Sequence, residues 1–224
     1  MTRRVAVLRP EPGNAQSVAR LHAMGLTPVA LPIFTILPLD WEAPVASAYD
    51  GLLLTSANSL RFGGAGLVAL RSLPVLAVGA ATARASKAAG FDVIHTGTKD
   101  AAQLLAQAQA TGKTRLLHIG GEDKTISAGG IIADSIAVYA SRPSQIDRAL
   151  LSDLAGCVVL LHSPRAAAHF AGLVDQSAEK RSNFRIATIS AAVAAAAGEG
   201  WAGVTIADAP DETALLNLAA RLAD

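Results

Sequence analysis

Small, hydroxylic and glycine residues recur in this sequence where short apolar runs end. Such side chains let an anion approach the free backbone N–H groups that begin a following helix. Taken singly, Ser56, Ser163 and Ser190 could instead be helix N-caps, each stabilising by about 1 kcal/mol. Taken together, the run ends predict a binding site for a small carboxylate- or phosphate-bearing molecule. The candidate positions are Arg9, Thr55, Ser56, Asn58, Gly79, Thr82, Gly120, Ser163, Arg165 and Ser190.

The sequence contains none of the common motifs for covalent, metal or nucleotide chemistry. No Ser/His/Asp triad, metal-ligand spacing, phosphate-binding loop or dinucleotide fingerprint can be assembled from it. The five histidines are scattered, and we interpret each as structural or exposed. The single cysteine, Cys157, begins an apolar run and is interpreted as a core residue rather than a nucleophile. We therefore predict no metal and no cofactor.

Composition and charge exclude several classes of protein. Hydrophobic residues make up 51% of the chain and charged residues 17%, which predicts a globular protein with a substantial core. The 19 basic and 18 acidic residues nearly balance, which argues against binding to nucleic acid or to an acidic membrane. No apolar run is long enough to span a membrane, and no signal-peptide core follows Arg3 and Arg4, so we expect a cytoplasmic location.

Short β-branched or leucine-rich runs alternate with alanine-rich amphipathic stretches. This pattern is typical of parallel strands that are buried on both faces and connected by helices. We predict ten strands, beginning near Val5, Pro28, Gly51, Val75, Asp92, Arg115, Ser135, Cys157, Arg185 and Val204. We predict helices at Asn14–Met24, Asn58–Leu70, Ala80–Ala89, Ala101–Ala110, Gln145–Leu154, Pro164–Asp175, Ala191–Gly198 and Asp211–Leu222.

Part of the pattern occurs twice. The segment from Gly51, a strand followed by Ser56 and a helix, corresponds to the segment from Val158 to Ser163 and its helix. The strands and helices that follow also correspond, and the segment from Asp100 to Leu105 matches the segment from Asp211 to Leu216. Two copies of one α/β unit explain this repetition, and ten strands divide into two sheets of five.

Counting strands also predicts how the copies are connected. The chain after Gln145 has only three predicted strands, so the two N-terminal strands should complete that copy. We therefore predict an α/β protein with two similar three-layer α/β/α lobes, each with a five-stranded parallel sheet. Residues 1–34 and 144–224 would form a discontinuous lobe, and residues 35–143 an inserted lobe. Two extended segments, Thr35–Leu39 and Val138–Pro143, would form a two-stranded linker.

A succession of short motifs runs through the whole chain. In order, they are Val7-Leu-Arg-Pro10, Tyr49-Asp50-Gly51, Thr55-Ser56-Ala-Asn58, Val78-Gly79-Ala-Ala-Thr82, Leu117-His-Ile-Gly-Gly-Glu-Asp123, Val138-Tyr139 and Ser163-Pro-Arg-Ala166. This succession resembles the uroporphyrinogen-III synthase family.

The resemblance implies a cofactor-free enzyme with two α/β lobes and its chemistry between them. Its substrate would be hydroxymethylbilane, a linear tetrapyrrole with eight carboxylates. Loss of the terminal hydroxyl as water would leave an azafulvene-type cation, and attack at the substituted carbon of ring D would give a spiro intermediate. Fragmentation and reclosure would then leave ring D inverted in uroporphyrinogen III. We expect the protein to act as a monomer.

The family pattern also implies roles for individual residues. Tyr139 would assist departure of the hydroxyl, although it could instead be a linker tyrosine packed at a hinge. The candidate residues at the run ends would bind substrate carboxylates. Arg9 and Arg165 are the best-placed basic residues, and either could instead pair with a surface carboxylate. Ser190 and Val193 stand where the family often has Gly and Thr, so their contact with substrate is open.

Two other kinds of protein fit the same pattern. A two-lobed binding protein could close on an anionic metabolite about a double crossover. A member of the family without activity could serve as a regulatory or partner-binding module. Incubation with hydroxymethylbilane separates them, because only the enzyme produces the inverted isomer.

Overall fold

The computed structural model of the protein describes residues 3–97, 101–124 and 126–224, so Asp100 of the sequence repeat lies outside the described residues. The chain has a mixed α/β fold with parallel sheets. The strands are β1 (Val5–Val7), β2 (Pro28–Ala30), β3 (Phe34–Pro38), β4 (Gly51–Leu54), β5 (Val75–Val78), β6 (Val93–Gly97), β7 (Leu116–Gly121), β8 (Ile132–Pro143), β9 (Val158–Leu161), β10 (Arg185–Thr188) and β11 (Gly203–Ile206). The α-helices are α1 (Gly13–Ala23), α2 (Ala57–Phe62), α3 (Ala80–Ala88), α4 (Ala101–Ala110), α5 (Arg148–Ser152), α6 (Pro164–Asp175), α7 (Ala191–Ala197) and α8 (Glu212–Ala223).

The chain divides into two compact units. The first unit combines the chain up to Thr35 with Arg142–Asp224, and the second is Ile36–Ser141. In the first unit the strand order is β11-β10-β9-β1-β2, and the described pairings are parallel. One face of this sheet packs against α5, α6 and α7 in a core that includes Phe170 and Phe184, and the other face packs against α1 and α8. The strands are apolar on both sides because helices cover both faces.

In the second unit the strand order is β3-β8-β7-β4-β5-β6. Leu52, Leu54 and Ile119 lie on the face that α3 and the 3-10 helix Gly64–Leu70 cover, whereas Leu53 and Leu116 face α4. Apart from β3, the described pairings of this sheet are parallel. The carboxyl ends of β8, β7, β4 and β5 therefore lie side by side at one edge of the sheet.

The two sheets have the same order once the sequence repeat is taken into account. The repeated strands β4, β5 and β6 of the second unit correspond to β9, β10 and β11 of the first, and each set is contiguous in its sheet. The next two positions are filled by β7 and β8 in the second unit and by β1 and β2 in the first, and β3 adds an edge position that has no counterpart in the sheet of the first unit. The units are thus circular permutations of one arrangement, with the non-repeated pair first in one unit and last in the other.

The structure corrects the prediction of two five-stranded sheets. The described part of the chain has eleven strands, and the sheet of the second unit has six. The additional strand is β3, which falls on the first predicted linker segment. The Leu39 N–H donates to the Val138 carbonyl at 3.0 Å and the Ser144 N–H to the Ile33 carbonyl at 3.0 Å, so β3 pairs with β8 in antiparallel fashion. Strand pairing therefore accounts for the extended conformation of both predicted linker segments.

Two predicted helices are also shorter than expected. The predicted helix Asn58–Leu70 is divided at Gly63 into α2 and a 3-10 helix, and Gly64 has a φ of 61°, which favours glycine. The predicted helix Gln145–Leu154 is reduced to α5, because Asp147 caps it by accepting a hydrogen bond from the Ala149 N–H at 3.0 Å.

Candidate active site

Tyr139 lies at the carboxyl-terminal edge of the second unit, beside the end of β7. The register between β7 and β8 shifts after Gly120, so that Tyr139 rather than Val138 lies opposite Gly121. Val138 is buried in the core, whereas Tyr139 is half-buried at the margin of the same cluster. Because of this bulge, the Val138 side chain points into the core and the Tyr139 ring lies against the end of β7. Bulges often redirect side chains in this way beside functional sites.

The Tyr139 ring packs directly against the backbone of Gly121. A Cβ atom on Gly121 would lie 2.5 Å from one ring carbon of Tyr139 and 2.9 Å from its hydroxyl oxygen, well inside van der Waals contact. The Phe62 ring lies 6.2 Å from the Tyr139 ring, centroid to centroid. The ring is thus held between a bare strand backbone and a second aromatic side chain, with part of it exposed.

Thr55 and Gly120 lie beside a buried histidine. Thr55 follows the last residue of β4, and its Oγ1 is 3.2 Å from Nε2 of His118. The His118 ring is completely buried, and its Nδ1 is 2.7 Å from the Ser135 hydroxyl. Burial lowers the pKa of His118 from 6.5 to about 4, so the ring is neutral at neutral pH. A Cβ on Gly120 would lie 2.6 Å from this ring, which explains the glycine.

The neighbouring predicted residues Ser56 and Asn58 have local partners. Ser56 is the N-cap of α2, and its hydroxyl accepts a hydrogen bond from the Asn58 N–H at 3.2 Å. The side-chain oxygen of Asn58 accepts one from Arg61 at 2.9 Å. Capping therefore accounts for Ser56 in the structure, and the half-buried side chains of both residues remain beside the strand end.

Gly79 and Thr82 lie at the start of α3. Gly79 precedes the helix with a φ of 85°, a conformation that favours glycine, and a side chain there would meet no atom within 4 Å. Thr82 is only 4% exposed, which makes it the least exposed of the predicted hydroxyl-bearing residues. Gly79 therefore has open space beside it at the carboxyl end of β5, whereas the Thr82 side chain is buried.

In the first unit, Ser163, Arg165 and Ser190 follow β9 and β10. The Ser163 hydroxyl accepts a hydrogen bond from the Ala166 N–H at 3.2 Å, so it caps α6. Ser190 precedes α7 without a side-chain capping bond. The Arg165 guanidinium carbon lies 4.6 Å from the centroid of the Phe34 ring, a cation–π contact. Val193 is 1% exposed and belongs to the core.

Arg9 has a carboxylate partner. Its Nη1 lies 2.7 Å from Oε2 of Glu212, in the first turn of α8. The same oxygen is 3.0 Å from Nε2 of His162, and the other Glu212 oxygen accepts a hydrogen bond from Ser17. Burial alone would raise the pKa of Glu212, but hydrogen bonds from His162 and Ser17, with the charges of His162 and Arg9, lower it to about 2. The pairing that sequence reasoning left open for Arg9 is therefore present.

Sequence reasoning missed Glu212, Ser17 and Ser135, and interpreted His118 and His162 only as structural or surface residues. Nothing in the spacing of Glu212 or Ser17 indicates that they meet, because they are far apart in the chain. A signal did exist for His162, which was expected inside a strand but directly follows β9. In the sequence repeat His162 corresponds to Thr55, a residue already selected as a candidate.

The described residues contain neither a metal-ligand cluster nor a membrane-spanning helix. Within residues 3–97, 101–124 and 126–224, no group of three or more His, Cys, Asp or Glu side chains could hold a metal ion. Over the same residues, none of the helices has the length and hydropathy needed to cross a bilayer.

One protein-family model matches most of the chain. The family model described as "Uroporphyrinogen-III synthase HemD" matches residues 15–217, which is most of the chain. The chain belongs to the uroporphyrinogen-III synthase family. Enzymes of this family are cyclising hydro-lyases that convert hydroxymethylbilane to uroporphyrinogen III in haem biosynthesis. The resemblance in the succession of sequence motifs is confirmed.

Solved structures agree with this assignment in fold. A crystal structure of uroporphyrinogen-III synthetase from Helicobacter pylori has 15% identity and a TM-score of 0.67, covering 98% of this chain and 99% of that chain. A mutant uroporphyrinogen III synthase from Thermus thermophilus has 16% identity and a TM-score of 0.52, covering 98% of each chain. At these identities the likeness concerns the fold. No curated protein matches the chain.

Proposed function

We propose that this chain closes hydroxymethylbilane at the carboxyl-terminal edge of its second unit, with Tyr139 assisting loss of the terminal hydroxyl. The phenol would donate a hydrogen bond or a proton to that hydroxyl as the carbon–oxygen bond breaks and water leaves. The observation that supports this most directly is the bulge in β8, which turns the half-buried Tyr139 ring onto Gly121 beside the strand ends of the sheet.

The strand ends supply groups suited to the substrate's carboxylates. We propose that Thr55, Ser56, Asn58, Gly79, Thr82 and Gly120 bind or orient carboxylate groups through hydroxyls, amides and main-chain N–H groups. Ser163, Ser190, Arg9 and Arg165 of the first unit are proposed for the same role. Hydrogen bonds to a charged group are stronger than neutral ones, so several such donors can bind a polyanion with few basic residues. Arg9 would do so while remaining paired with Glu212 through Nη1.

Catalysis would depend largely on positioning. The linear substrate also closes spontaneously without inversion, so the enzyme must favour the spiro geometry over direct closure. Holding the two ends of the substrate in the spiro geometry lowers the barrier to closure with inversion relative to direct closure. The protein needs no cofactor for this positioning. We further propose that β3 and β8 form the two-stranded linker between two α/β lobes with the predicted boundaries.

We also propose that the protein is a cytoplasmic monomer that binds no nucleic acid. The near balance of 19 basic and 18 acidic residues supports the absence of a polyanion-binding surface. The lone cysteine, which is buried and unpaired, suits a reducing compartment. Sedimentation of the purified protein with and without nucleic acid tests the oligomeric state and the absence of nucleic-acid binding, and cell fractionation tests the location.

Replacing Tyr139 with phenylalanine tests the catalytic proposal. Tyr139→Phe keeps the ring against Gly121 and removes only the hydroxyl, so we expect turnover to the type III isomer to fall by about tenfold to a hundredfold. The matched control is Tyr49→Phe, because Tyr49 is the other tyrosine of the chain and its hydroxyl donates to Asp134 at 2.7 Å. Undiminished turnover in Tyr139→Phe would remove this role from Tyr139.

A further inference from the structure

His118 is a buried polar residue in an otherwise apolar strand, and the proposed chemistry does not use it directly. Its two flanking residues in β7, Leu117 and Ile119, are fully buried, as is His118 itself. Each ring nitrogen has one hydroxyl neighbour: Ser135 at 2.7 Å from Nδ1 and Thr55 at 3.2 Å from Nε2. The ring therefore connects the interior of β8 with the carboxyl end of β4.

A neutral imidazole can make these two contacts in only two ways. It has one N–H donor and one nitrogen acceptor, and which nitrogen holds the proton depends on the bond that the other one makes. If Nε2 accepts, the Thr55 proton points into the ring, and the Thr55 oxygen can only accept hydrogen bonds. If Nε2–H donates, the Thr55 proton is free to be given to another acceptor. Only the second arrangement lets Thr55 donate to a carboxylate.

The distances favour the second arrangement. Hydroxyl donors make short hydrogen bonds, commonly near 2.7–2.8 Å, whereas N–H donors range up to about 3.2 Å. The short contact is the one between Ser135 and Nδ1, as expected if the Ser135 O–H donates to Nδ1. The longer contact, between Nε2 and Thr55, suits an N–H donor. The lowered pKa of His118 is consistent with a ring that keeps a single proton at neutral pH.

We propose that His118 is a positioning residue for substrate binding: its Nε2–H donates to Thr55 Oγ1 and so leaves the Thr55 hydroxyl proton for a substrate carboxylate. Ser135 fixes the tautomer by donating to Nδ1. Gly120 leaves room for the His118 ring, because a Cβ at that position would lie 2.8 Å from Nε2 and displace the ring. The inference rests on the proposed role of Thr55 as a carboxylate donor.

Three substitutions of His118 distinguish its possible roles. His118→Gln places an amide donor near the position of Nε2, and we expect KM for hydroxymethylbilane close to that of the wild type. His118→Asn can reach Ser135 but not Thr55, and His118→Phe fills the space without a donor. For both we expect KM to rise by about threefold to tenfold, the effect of losing one hydrogen bond, with little change in kcat. Equal KM values for the Gln and Phe variants would overturn the donor role.

A double-mutant cycle separates an effect through Thr55 from a general effect on the fold. Thr55→Val should raise KM by a similar factor, and His118→Phe added to it should raise KM no further, because the group through which His118 acts is gone. Independent, multiplying increases would overturn the proposal. If His118→Phe does not fold, Ser135→Ala takes its place in the cycle: it leaves the ring present and frees its tautomer, so KM should rise in the wild-type background and not in Thr55→Val.

The same measurements distinguish the failure of this inference from failure of the proposed function. If Thr55→Val leaves KM unchanged, the role of Thr55 as a carboxylate donor is wrong, and this inference is wrong with it. If Thr55→Val raises KM but the His118 variants act independently, only this inference is wrong. Neither result bears on Tyr139, which is tested by turnover of its own variant.

Discussion

At the scale of single residues, Glu212 connects separate parts of the first unit. Its two carboxylate oxygens contact Arg9 after β1, Ser17 in α1 and His162 after β9. Its side chain is 22% exposed, so part of its hydration is replaced by these contacts. A carboxylate with several donors in a partly buried position stabilises the strand ends and the helix from which its partners come.

Replacing Glu212 with glutamine should therefore destabilise the protein. We expect Glu212→Gln to lower the free energy of unfolding at pH 7 by about 1–2 kcal/mol, because Arg9 loses its charge partner in a half-buried setting. The stabilisation from Glu212 is present above pH 4.5 and is lost as the pH falls toward its folded pKa of about 2, so the variant should lack this acid-dependent loss. Urea unfolding at several pH values measures both effects.

The control for Glu212 is an ion pair at the surface. Asp208 lies 3.3 Å from Arg221, and both side chains are more than half exposed. Exposed pairs contribute little, so Asp208→Asn should change stability by less than about 0.5 kcal/mol at pH 7. Equal effects of the two substitutions would show that burial does not strengthen the Glu212 contacts.

His118 should make stability depend on pH in a milder range. Its pKa is about 4 in the folded protein and 6.5 when exposed, so the unfolded chain binds more protons between these values. The free energy of unfolding should fall as the pH drops from 6.5 to 4, by at most about 1.4 kcal/mol per pH unit from this residue. His118→Gln should flatten the pH dependence in that window. An unchanged slope in unfolding experiments would contradict the lowered pKa.

Residue-level prediction from the sequence succeeded where the signal was local. The capping alternative for Ser56 and Ser163 follows from a polar residue directly before a helix, and the structure contains both caps. The partners of Arg9 and His118 could not be predicted in this way. Both depend on which strands become neighbours, and sequence spacing does not reveal that.

At the scale of elements, the bulge in β8 has the clearest consequence for the site. Without it, Val138 would lie opposite Gly121, and Tyr139 would project from the other face of the strand. The bulge thus allows a buried valine and a half-buried tyrosine to follow one another within β8, opposite the end of β7. Gly121 completes the arrangement by leaving the adjacent backbone bare.

Substituting Gly121 tests this arrangement. In Gly121→Ala the new methyl group would overlap the Tyr139 ring, so we expect a loss of stability of about 1–3 kcal/mol and a fall in type III turnover. Gly172→Ala in α6 is the matched control, because its added Cβ would meet only one atom, at 3.9 Å. That change should be neutral or slightly stabilising. Full activity of Gly121→Ala would show that the position of the Tyr139 ring is not important.

Most elements could be predicted from periodicity because buried parallel strands have an unmistakable composition. The exceptions are informative. Strand β3 contains Thr35 and Pro38, is mostly exposed and pairs only at the edge of its sheet, so it lacked the apolar run of a buried strand. The bulge was equally invisible, since a shift of one residue changes pairing without changing composition.

At the scale of the whole molecule, two compact units are built from one repeated arrangement in permuted order. The repeat could be detected in sequence only for the strands and helices after Gly51 and after Val158, because the non-repeated pairs β1–β2 and β7–β8 lie at opposite ends of their copies. Counting strands assigned the N-terminal pair to the unit that lacked one, and β1 does lie beside β9. What neither the repeat nor the fold reveals is the reaction, which follows from the family.

The permutation also clarifies how corresponding positions of the two units differ. Thr55 of the second unit corresponds to His162 of the first, and each contacts a different partner: His118 in one case and Glu212 in the other. Strand β2 of the first unit corresponds to β8 of the second. Because β2 is short and ends at Ala30, it has no residue that corresponds to Tyr139. The same fold therefore presents the half-buried phenol of Tyr139 in one copy and the ion-paired cluster of Arg9 and Glu212 in the other.

The most direct test of the central claim is the identity of the product. Purified protein would be incubated with hydroxymethylbilane, and the uroporphyrinogen isomers separated by chromatography alongside an incubation without protein. We predict that the wild-type chain yields the type III isomer, with ring D inverted, in excess of the spontaneous non-inverted product. Accumulation of only the non-inverted isomer, or protection of the substrate without closure, would contradict the assignment.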